Sequence, residues 1–484
     1  MSSADLVIRN GWVVTHDHRE FGGVAVEGDQ IIYVGPNSGL PAAHRIIDAH
    51  EQFIIPGLID PHVHMSSEED ASIAEGMRAN LPIESRGMLH GGVTTFGHFV
   101  GAAGQPLLPM LKANIDSLNR HSYVDSMLHA YVMGEETLGD FESAWRLGVT
   151  SFKHFYTAYG RRRLEDPGLG HLFSPVDNDV LLQSMQWIAA KGAPGVAMVH
   201  AEDGEIVKLL SGQVESTGRR DLGAWSDGRP GIAEWLRVYQ AIQLSDWSRC
   251  PLYVVHMTTA ESCRLVAEAR RRGSPIWSEV GPQWLTHHGG MEDKVGCWGK
   301  VNPPLRTFTD IDALWHGFHS NGVTCLGTDH GTGGRTTQTK EKGGGKHGNI
   351  WAARPGIRGG SEHMLPVLLT YGVLPGRISW EDLVRCGSYN TARAFGLYPR
   401  KGGLWPGADA DILIVNPEIE RTVNETFYKG LCEVSIYDGE RLKGAVQAAV
   451  LRGRVALEEF QEATEPGWGR YVPRGSSFAH KPTV

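Results

Sequence analysis

The chain has 484 residues, of which 41% are hydrophobic and 21% are charged, proportions that are typical of a globular protein. The net charge of −9 argues against a nucleic-acid partner, and no stretch approaches the roughly 20 apolar residues of a membrane helix. The six cysteines form no CxxC pair, which excludes a disulfide scaffold and predicts a cytoplasmic location.

The two ends of the chain have the same character. A chain of this length exceeds a single hydrophobic core, which predicts one large domain and a smaller one. Short strand-like segments such as "DLVIRNGWVVT" near the start and "DADILIVNP" near the end predict one β-sandwich assembled from both termini. The predicted ranges are 1–55 and 401–460 for the two parts of the sandwich, 56–400 for the central domain and 461–484 for a C-terminal tail.

Strand-like and helix-like segments alternate through the middle of the chain. Eight strand-like segments run from "FIIPGLIDPHVHM" to "GVTCLGTDHGT". Eight such alternations are typical of a (β/α)8 barrel, in which the carboxyl ends of the strands meet at one mouth. The predicted fold class is therefore α/β, a TIM-type barrel with a second, smaller β-sandwich domain built from both termini.

Residue types that ligate metals lie at or near the ends of five predicted barrel strands. Because every second residue of a strand points to the same side, His62 and His64 can reach one ion. A single histidine is more often a core or surface residue, but coincidence is a poor explanation for five strands in barrel order. The candidate ligands are His62, His64, Lys153, His200, His256 and Asp329.

Lys153 lies in the apolar segment "TSFKHFYTAYG", where an ammonium is costly to bury. Burial lowers the pKa of an amine, and a neutral amine can add carbon dioxide to form a carbamate. A carbamate has two oxygens and is able to bridge two cations; a lysine that extends to solvent is the alternative. The neighbouring His154 should point away from the side of Lys153, because neighbours alternate along a strand.

The segments that carry these residues resemble the amidohydrolase superfamily, and within it the dihydropyrimidinase/hydantoinase family of cyclic amidohydrolases. The similarity runs over nearly the whole chain and includes "GLIDPHVHM", "GVTSFKHFY", "VHAEDGEIV", "PLYVVHMTTAES", "GPQWLTHH", "NPPLR" and "GTDHG". It implies an enzyme that hydrolyses C–N bonds in cyclic amides. It also implies a homotetramer, or a dimer, because these are the common assemblies of the family.

The resemblance implies two divalent metal ions per chain, with zinc as the expected ion and Mn or Co as substitutes. A hydroxide between the ions would attack the substrate carbonyl, and Asp329 would act as base and then as acid. The implied ligands are His62, His64 and Asp329 for one ion and His200 and His256 for the other, with carboxylated Lys153 bridging both.

The resemblance also implies residues that contact the substrate. The family places an oxyanion-binding Tyr shortly after the bridging Lys, and here Tyr159 is the first choice and Tyr156 the second; either is otherwise a packing aromatic. Backbone groups bind the ring amides in the family, and the matching positions are Asn302 before "PPLR" and Ala352 or Ala353 in "NIWAARPG". The last segment departs from the family pattern.

The expected substrate is a hydantoin, a dihydropyrimidine or another cyclic imide. An allantoinase is an alternative because it needs the same metal chemistry, and the altered "NIWAARPG" favours an amidohydrolase for an unusual heterocycle. A dihydroorotase is disfavoured because Ser66 stands where such enzymes typically have an Arg. A non-catalytic member of the family is disfavoured because all six ligand positions are kept.

Overall fold

The computed structural model describes residues 3–65, 73–102, 104–157, 176–332, 345–432 and 434–475. Its strands form two nine-stranded sheets, which confirm the predicted class of a TIM-type barrel with a smaller β domain built from both termini. The predicted domain boundaries stay a prediction. No helix of the described residues combines the length and the apolar character that a membrane crossing needs.

The strands are β1 (Ala4–Val14), β2 (Arg19–Glu27), β3 (Gln30–Gly35), β4 (Ala43–Asp48), β5 (Phe53–Pro56), β6 (Leu58–His64), β7 (Val93–Val100), β8 (Asp125–Val132), β9 (Ser151–Tyr156), β10 (Val196–Ala201), β11 (Leu252–Val254), β12 (Ile276–Val280), β13 (Cys325–Leu326), β14 (His330–Gly331), β15 (Ile412–Thr422), β16 (Arg441–Leu451), β17 (Arg454–Glu458) and β18 (Gln461–Glu462).

The helices are α1 (Ile73–His90), α2 (Leu107–His121), α3 (Phe141–Arg146), α4 (Asn178–Lys191), α5 (Gly204–Ser216), α6 (Leu222–Gly228), α7 (Gly231–Ser248), α8 (Ala260–Arg271), α9 (Pro282–Thr286), α10 (Glu292–Val295), α11 (Phe308–Ser320), α12 (Gly360–Leu368), α13 (Trp380–Val384) and α14 (Asn390–Ala394).

The first sheet joins the two ends of the chain through β5. Its strand order is β18-β17-β16-β15-β5-β1-β2-β3, with β4 beside β1. Strand β5 pairs in parallel with β1 and antiparallel with β15, so that Ile54 lies opposite Val13 on one side and Ile414 on the other. Alternating buried side chains of these strands form a separate small core. The sheet therefore contains strands from both ends of the chain, joined by β5.

The second sheet is a closed parallel barrel. Its strand order is β13-β12-β11-β10-β9-β8-β7-β6-β14. Strand β13 pairs with β12 and strand β14 pairs with β6, so these two short strands are the halves of one interrupted eighth strand that closes the ring. Strands β7 and β8 are buried along their whole length, as expected for a parallel sheet covered on both faces.

A buried charge cluster joins the barrel to the β-sandwich. The ammonium of Lys401 lies 2.8 Å from Asp125 at the start of β8, 3.2 Å from Asp409 and 2.5 Å from Asp411. Arg452, between β16 and β17, also pairs with Asp125. Burial disfavours the ammonium, but the three carboxylates together raise the pKa of Lys401 above its usual value. The three carboxylates lie close enough together to hold a metal ion, but the ammonium of Lys401 contacts all three. The cluster is therefore an ion-pair network.

Replacing Lys401 by Met should reduce the free energy of unfolding by about 3–5 kcal/mol, because buried carboxylates lose their cation. Arg45→Met is the matched control, since the Arg45–Glu458 pair is 2.7 Å long but its side chains are 49% and 43% exposed. An exposed pair contributes less than about 1 kcal/mol. Urea unfolding followed by fluorescence and circular dichroism measures both variants. Equal stability of the two variants would contradict the role of the cluster.

Candidate metal centre

Three predicted ligands converge at the mouth of the barrel, and we call them the first ligand cluster: His62, His64 and Asp329. The Oδ1 atom of Asp329 lies 3.2 Å from Nε2 of His62 and 2.9 Å from Nε2 of His64. Asp329 lies in the break of the eighth strand with a φ of 53°, a left-handed conformation that is strained for residues other than glycine. One ligand atom from each residue lies within 4.8 Å of the others, which is compatible with a shared cation.

A second pair of predicted ligands lies beside the first ligand cluster, and we call it the histidine pair: His200 and His256. Nδ1 of His200 is 3.0 Å from Nε2 of His256. The ring centroids of His256 and His62 are 5.2 Å apart, so the two groups adjoin. His256 follows β11 with a φ of 35°. Like Asp329, it therefore has a left-handed backbone conformation, which is strained.

Lys153 lies within β9 and is 1% exposed. Its Nζ atom is 5.1 Å from the ring centroid of Phe99 and 5.6 Å from that of Phe155. Burial lowers the pKa of Lys153 to about 7, although the carboxylates of Asp329 and Glu279 oppose this shift. A substantial fraction of the amine is therefore neutral near neutral pH, which is the form that reacts with carbon dioxide.

His154 points away from the side of Lys153, as strand alternation predicts. Its Nδ1 is 3.1 Å from the carbonyl oxygen of Met198, and its Nε2 is 2.8 Å from Oγ of Ser184 on α4. The same alternation applies to Tyr156, whose hydroxyl donates to Asn178 on α4 and lies 3.3 Å from the side-chain oxygen of Gln240 on α7.

The structure therefore corrects one predicted site residue. Tyr156 was the second choice for the oxyanion donor, but it packs between helices on the outside of the barrel, because it stands an odd number of positions from Lys153. The first choice, Tyr159, lies outside the described residues. Ser66 lies outside them as well.

The charges of the site favour ligation at neutral pH. Burial, reinforced by Lys153, holds the pKa of His62 well below its ordinary value, and burial and His200 do the same for His256. Burial pushes the pKa of Asp329 upward, but the effects of His62 and His64 outweigh it and leave that pKa below its usual range. The imidazoles of His62 and His256 are thus neutral, and the carboxylate of Asp329 is ionised.

Two residues that orient the ligands were not identified from the sequence. Glu279 on β12 is fully buried, and its Oε1 lies 2.6 Å from Nδ1 of His62 and accepts the N–H of His256 at 3.0 Å. The hydroxyl of Tyr131 on β8 lies 3.0 Å from Nδ1 of His64. Contacts of this kind fix which imidazole nitrogen faces a metal. A lone Glu in the apolar "SPIWSEV" was the available signal.

The histidine pair has its own charged support. Glu202 lies 3.1 Å from Nε2 of His200 and accepts two hydrogen bonds from Arg229. Burial opposes the charge of Glu202, but Arg229 and His200 hold its pKa far below the usual range. His200 is therefore oriented so that its Nδ1, and not its Nε2, faces His256.

The predicted substrate contacts are linked to the histidine pair through tryptophan. The ring centroid of Trp284 is 5.9 Å from that of His256, and its Nε1 donates at 3.0 Å to the carbonyl of Pro303, the residue after Asn302. The segment with Ala352 and Ala353 is tied to the same region, because Nζ of Lys300 donates to the carbonyl of Ala353 at 2.6 Å.

The donor set suits divalent cations. Neutral imidazole nitrogens and an ionised carboxylate are ligands that zinc, manganese and cobalt accept. Their atoms converge in two adjoining groups, and the amine between apolar rings has the lowered pKa that carbamate formation requires. The structure is therefore a TIM-type barrel whose candidate metal ligands lie at the carboxyl ends of its strands, where the active sites of such barrels form.

Comparisons with known proteins agree with this class. Residues 306–454 match the model of the amidohydrolase family. A D-hydantoinase from Streptomyces coelicolor is 30% identical over 485 residues, with 98% of this chain and 99% of the relative covered. An allantoinase from Rubrobacter xylanophilus is 30% identical over 474 residues, with 98% of each covered.

The fold gives the same result. A solved L-hydantoinase (dihydropyrimidinase) from Arthrobacter aurescens superposes with a TM-score of 0.87 at 27% identity and covers 97% of this chain and 100% of its own. The chain belongs to the amidohydrolase family, in its hydantoinase and dihydropyrimidinase branch.

Proposed function

We propose that this protein is a binuclear metal-dependent hydrolase that opens the amide bond of a cyclic amide or imide of the hydantoin or dihydropyrimidine type. The observation that carries the proposal is the adjacency of the first ligand cluster and the histidine pair at one barrel mouth, with buried Lys153 beside them. Family membership supports the same reaction, since relatives that match nearly the whole chain are named hydantoinases.

Two divalent cations would bind here, one to the first ligand cluster and one to the histidine pair. Carboxylated Lys153 would be a ligand of both cations. Zinc is the proposed ion, and Mn or Co would accept the same donors. When bound, the cations would polarise the substrate carbonyl and lower the pKa of the attacking water.

Lys153 would become a ligand by reaction with dissolved carbon dioxide. The neutral amine attacks the carbon atom, the Nζ–C bond forms, and one proton passes to solvent, which leaves an anionic carbamate. A pKa of about 7 supports this step, because an ordinary lysine would be almost entirely protonated at the same pH.

Asp329 would move the proton during ring opening. Its carboxylate takes a proton from the water that attacks the carbonyl carbon and delivers it to the ring nitrogen as the C–N bond breaks. The products are a carboxylic acid, which gives its remaining proton to solvent and becomes a carboxylate, and a released amide or ureido nitrogen on the same open chain. Tyr159 would donate a hydrogen bond to the oxyanion that forms on the carbonyl oxygen.

Backbone groups of Asn302 and of Ala352 or Ala353 would bind the ring amides. The contacts of Trp284 and Lys300 support this assignment, since they tie both segments to the region of the histidine pair. Trp351 next to them packs on Trp225 with ring centroids 5.6 Å apart.

Allantoin is the second candidate substrate. One relative named allantoinase shares 30% identity with the chain, the same percentage as the D-hydantoinase. The ligand set serves either ring, so the metal centre does not discriminate between them.

We also propose a cytoplasmic homotetramer, or a dimer. All six cysteines are free and buried, which supports a reducing compartment. The tetramer or dimer is proposed because these are the common assemblies of the family.

The test is a hydrolysis screen of the zinc-loaded protein against hydantoin, dihydrouracil, allantoin, dihydroorotate, succinimide and phthalimide. Chromatography of the ring-opened product measures the rates, and both enantiomers of a 5-substituted hydantoin are included. We expect hydantoin or dihydrouracil to be opened fastest. Preference for allantoin would support the second candidate, and no ring opening above that of an Asp329→Asn control would contradict the proposal.

A further inference from the structure

The C-terminal residues 467–475 lie against the amino ends of barrel strands β8 and β9, whereas the candidate metal centre lies at the carboxyl ends. The N–H of Gly469 donates to the carbonyl of Ser122 at 2.9 Å, and that of Val472 donates to Ser126 at 2.7 Å. A Cβ added at Gly469 would lie 2.1 Å from a backbone oxygen. The close fit shows that this segment is built into the end of the barrel.

Arg474 extends from this segment into the barrel and is 1% exposed. Its Nη1 donates to Oγ of Ser151 at 3.0 Å, and its Nη2 donates to the carbonyl of Leu128. Among the described residues no carboxylate influences its pKa, which burial lowers to about 10. A guanidinium that is buried without a carboxylate is unfavourable, which points to a role that compensates for this cost.

The donor and the acceptor can be assigned for each hydrogen bond that links Ser151 to His129 and His129 to Pro61. The carbonyl of Pro61 only accepts, so Nε2 of His129, 3.0 Å away, donates to it. Burial and the charge of Arg474 hold the pKa of His129 well below its ordinary value, so the ring is neutral and its Nδ1 accepts. Oγ of Ser151, 2.5 Å from that Nδ1, therefore donates to His129 and accepts from Arg474.

The chain of hydrogen bonds ends at the carbonyl that precedes His62. A Cβ added at Gly97 on β7 would lie 2.3 Å from Nε2 of His129 and 2.7 Å from the carbonyl oxygen of Pro61, so β7 leaves room for this contact only because residue 97 is glycine. On its other side the imidazole of His62 is held by Glu279 at 2.6 Å. Backbone and ring of His62 thus have separate supports.

We propose that Arg474 is a positioning residue for the metal centre. Through Ser151 and His129 it holds the carbonyl of Pro61, and with it the backbone that carries His62 in the ligating orientation. This inference rests on the metal centre of the proposed function. According to this proposal, the C-terminal segment helps to position a ligand of the metal centre, which lies at the opposite end of the barrel.

The experiment compares Arg474→Met, Ser151→Ala and the double variant with the wild-type protein, all loaded with zinc. It measures the zinc content per chain and the rate at which an excess of chelator removes the zinc. Each single variant should lose zinc about tenfold faster than wild type, the size of outer-shell effects on metal affinity. The double variant should lose it no faster than the faster single variant, because both residues act through one chain of hydrogen bonds.

Tyr471→Phe is the matched control. It removes a hydrogen bond of the same segment, from the Tyr471 hydroxyl to the carbonyl of Leu147 at 2.9 Å. It removes none of the hydrogen bonds that link Arg474 to Pro61. It should release zinc at the wild-type rate. Arg474→Lys keeps a donor for Ser151 and should recover part of the retention. If Arg474→Met does not fold, Ser151→Ala carries the comparison without removing a charge.

Zinc release at the wild-type rate from folded Ser151→Ala or Arg474→Met overturns the proposal. Multiplied effects in the double variant overturn it too, because they indicate two unrelated packing defects. A wild-type protein that binds no zinc contradicts the proposed function itself, and so the two failures are distinguishable.

Discussion

Lys153→Ala is expected to abolish ring opening, with turnover reduced on the order of a thousandfold or more, because the variant lacks the anion that bridges the two cations. Its zinc content should fall as well. Added acetate or propionate should restore part of both, since the small side chain leaves a space in which a carboxylate can replace the carbamate. Initial rates and zinc content, each measured with and without the added acid, check this prediction.

Lys153→Met is the matched control for rescue. Its side chain fills most of the space of the lysine, so a small carboxylate should not restore activity. Equal rescue of the two variants would show that the added acid acts elsewhere. Wild-type turnover in Lys153→Ala would contradict the bridging role.

The carbamate itself should depend on pH in a defined direction. With the pKa of Lys153 at about 7, the neutral fraction of the amine rises with pH through neutrality. At a fixed partial pressure of labelled carbon dioxide, the carbamate signal in 13C NMR should therefore increase between about pH 6 and about pH 8, where an ordinary lysine stays protonated. The signal should be absent from Lys153→Ala.

Asp329→Asn is expected to lower kcat by about 10²–10⁴-fold while KM changes little, because asparagine keeps an oxygen of the same size but cannot accept the proton. The zinc content should stay near that of the wild type. Asp329→Ala, which removes the oxygen, should lose a cation in addition to activity. Steady-state kinetics and metal analysis of the two variants separate proton transfer from ligation.

Two results would contradict this division of roles. If Asp329→Asn turns over like the wild type, then another group moves the proton. If it loses zinc to the same extent as Asp329→Ala, then its effect on kcat reports the loss of a ligand and says nothing about proton transfer.

Strand alternation was enough to predict the most specific features of the site. It placed His62 and His64 on one side of β6, and both reach the same oxygen of Asp329. It also turned His154 away from Lys153. The same alternation places Tyr156 on the side of His154 and so excludes it as the oxyanion donor. The prediction of Tyr156 was therefore wrong for a reason that the sequence already contained.

The supports of the ligands were beyond sequence reasoning because each is a single polar residue in an apolar strand. Glu279 and Tyr131 become meaningful only when β12 and β8 are set beside β6 at the right height. The same holds for Arg474, which is hundreds of positions away from Ser151 along the chain and 3.0 Å from it in space. Contacts between residues so far apart along the chain depend on the register in which the strands pair. Local sequence patterns do not encode this register.

The amino-acid sequence alone determined the class of fold, the joining of the two chain ends in one sheet, and the six candidate ligands, because hydrophobic periodicity and residue type at a strand end are local properties. The tertiary structure decided which imidazole nitrogen faces which oxygen, where the eighth strand breaks to place Asp329, and that the C-terminal segment reaches the barrel interior. These features depend on how distant strands align when the ring closes, and that alignment exists only in the folded chain.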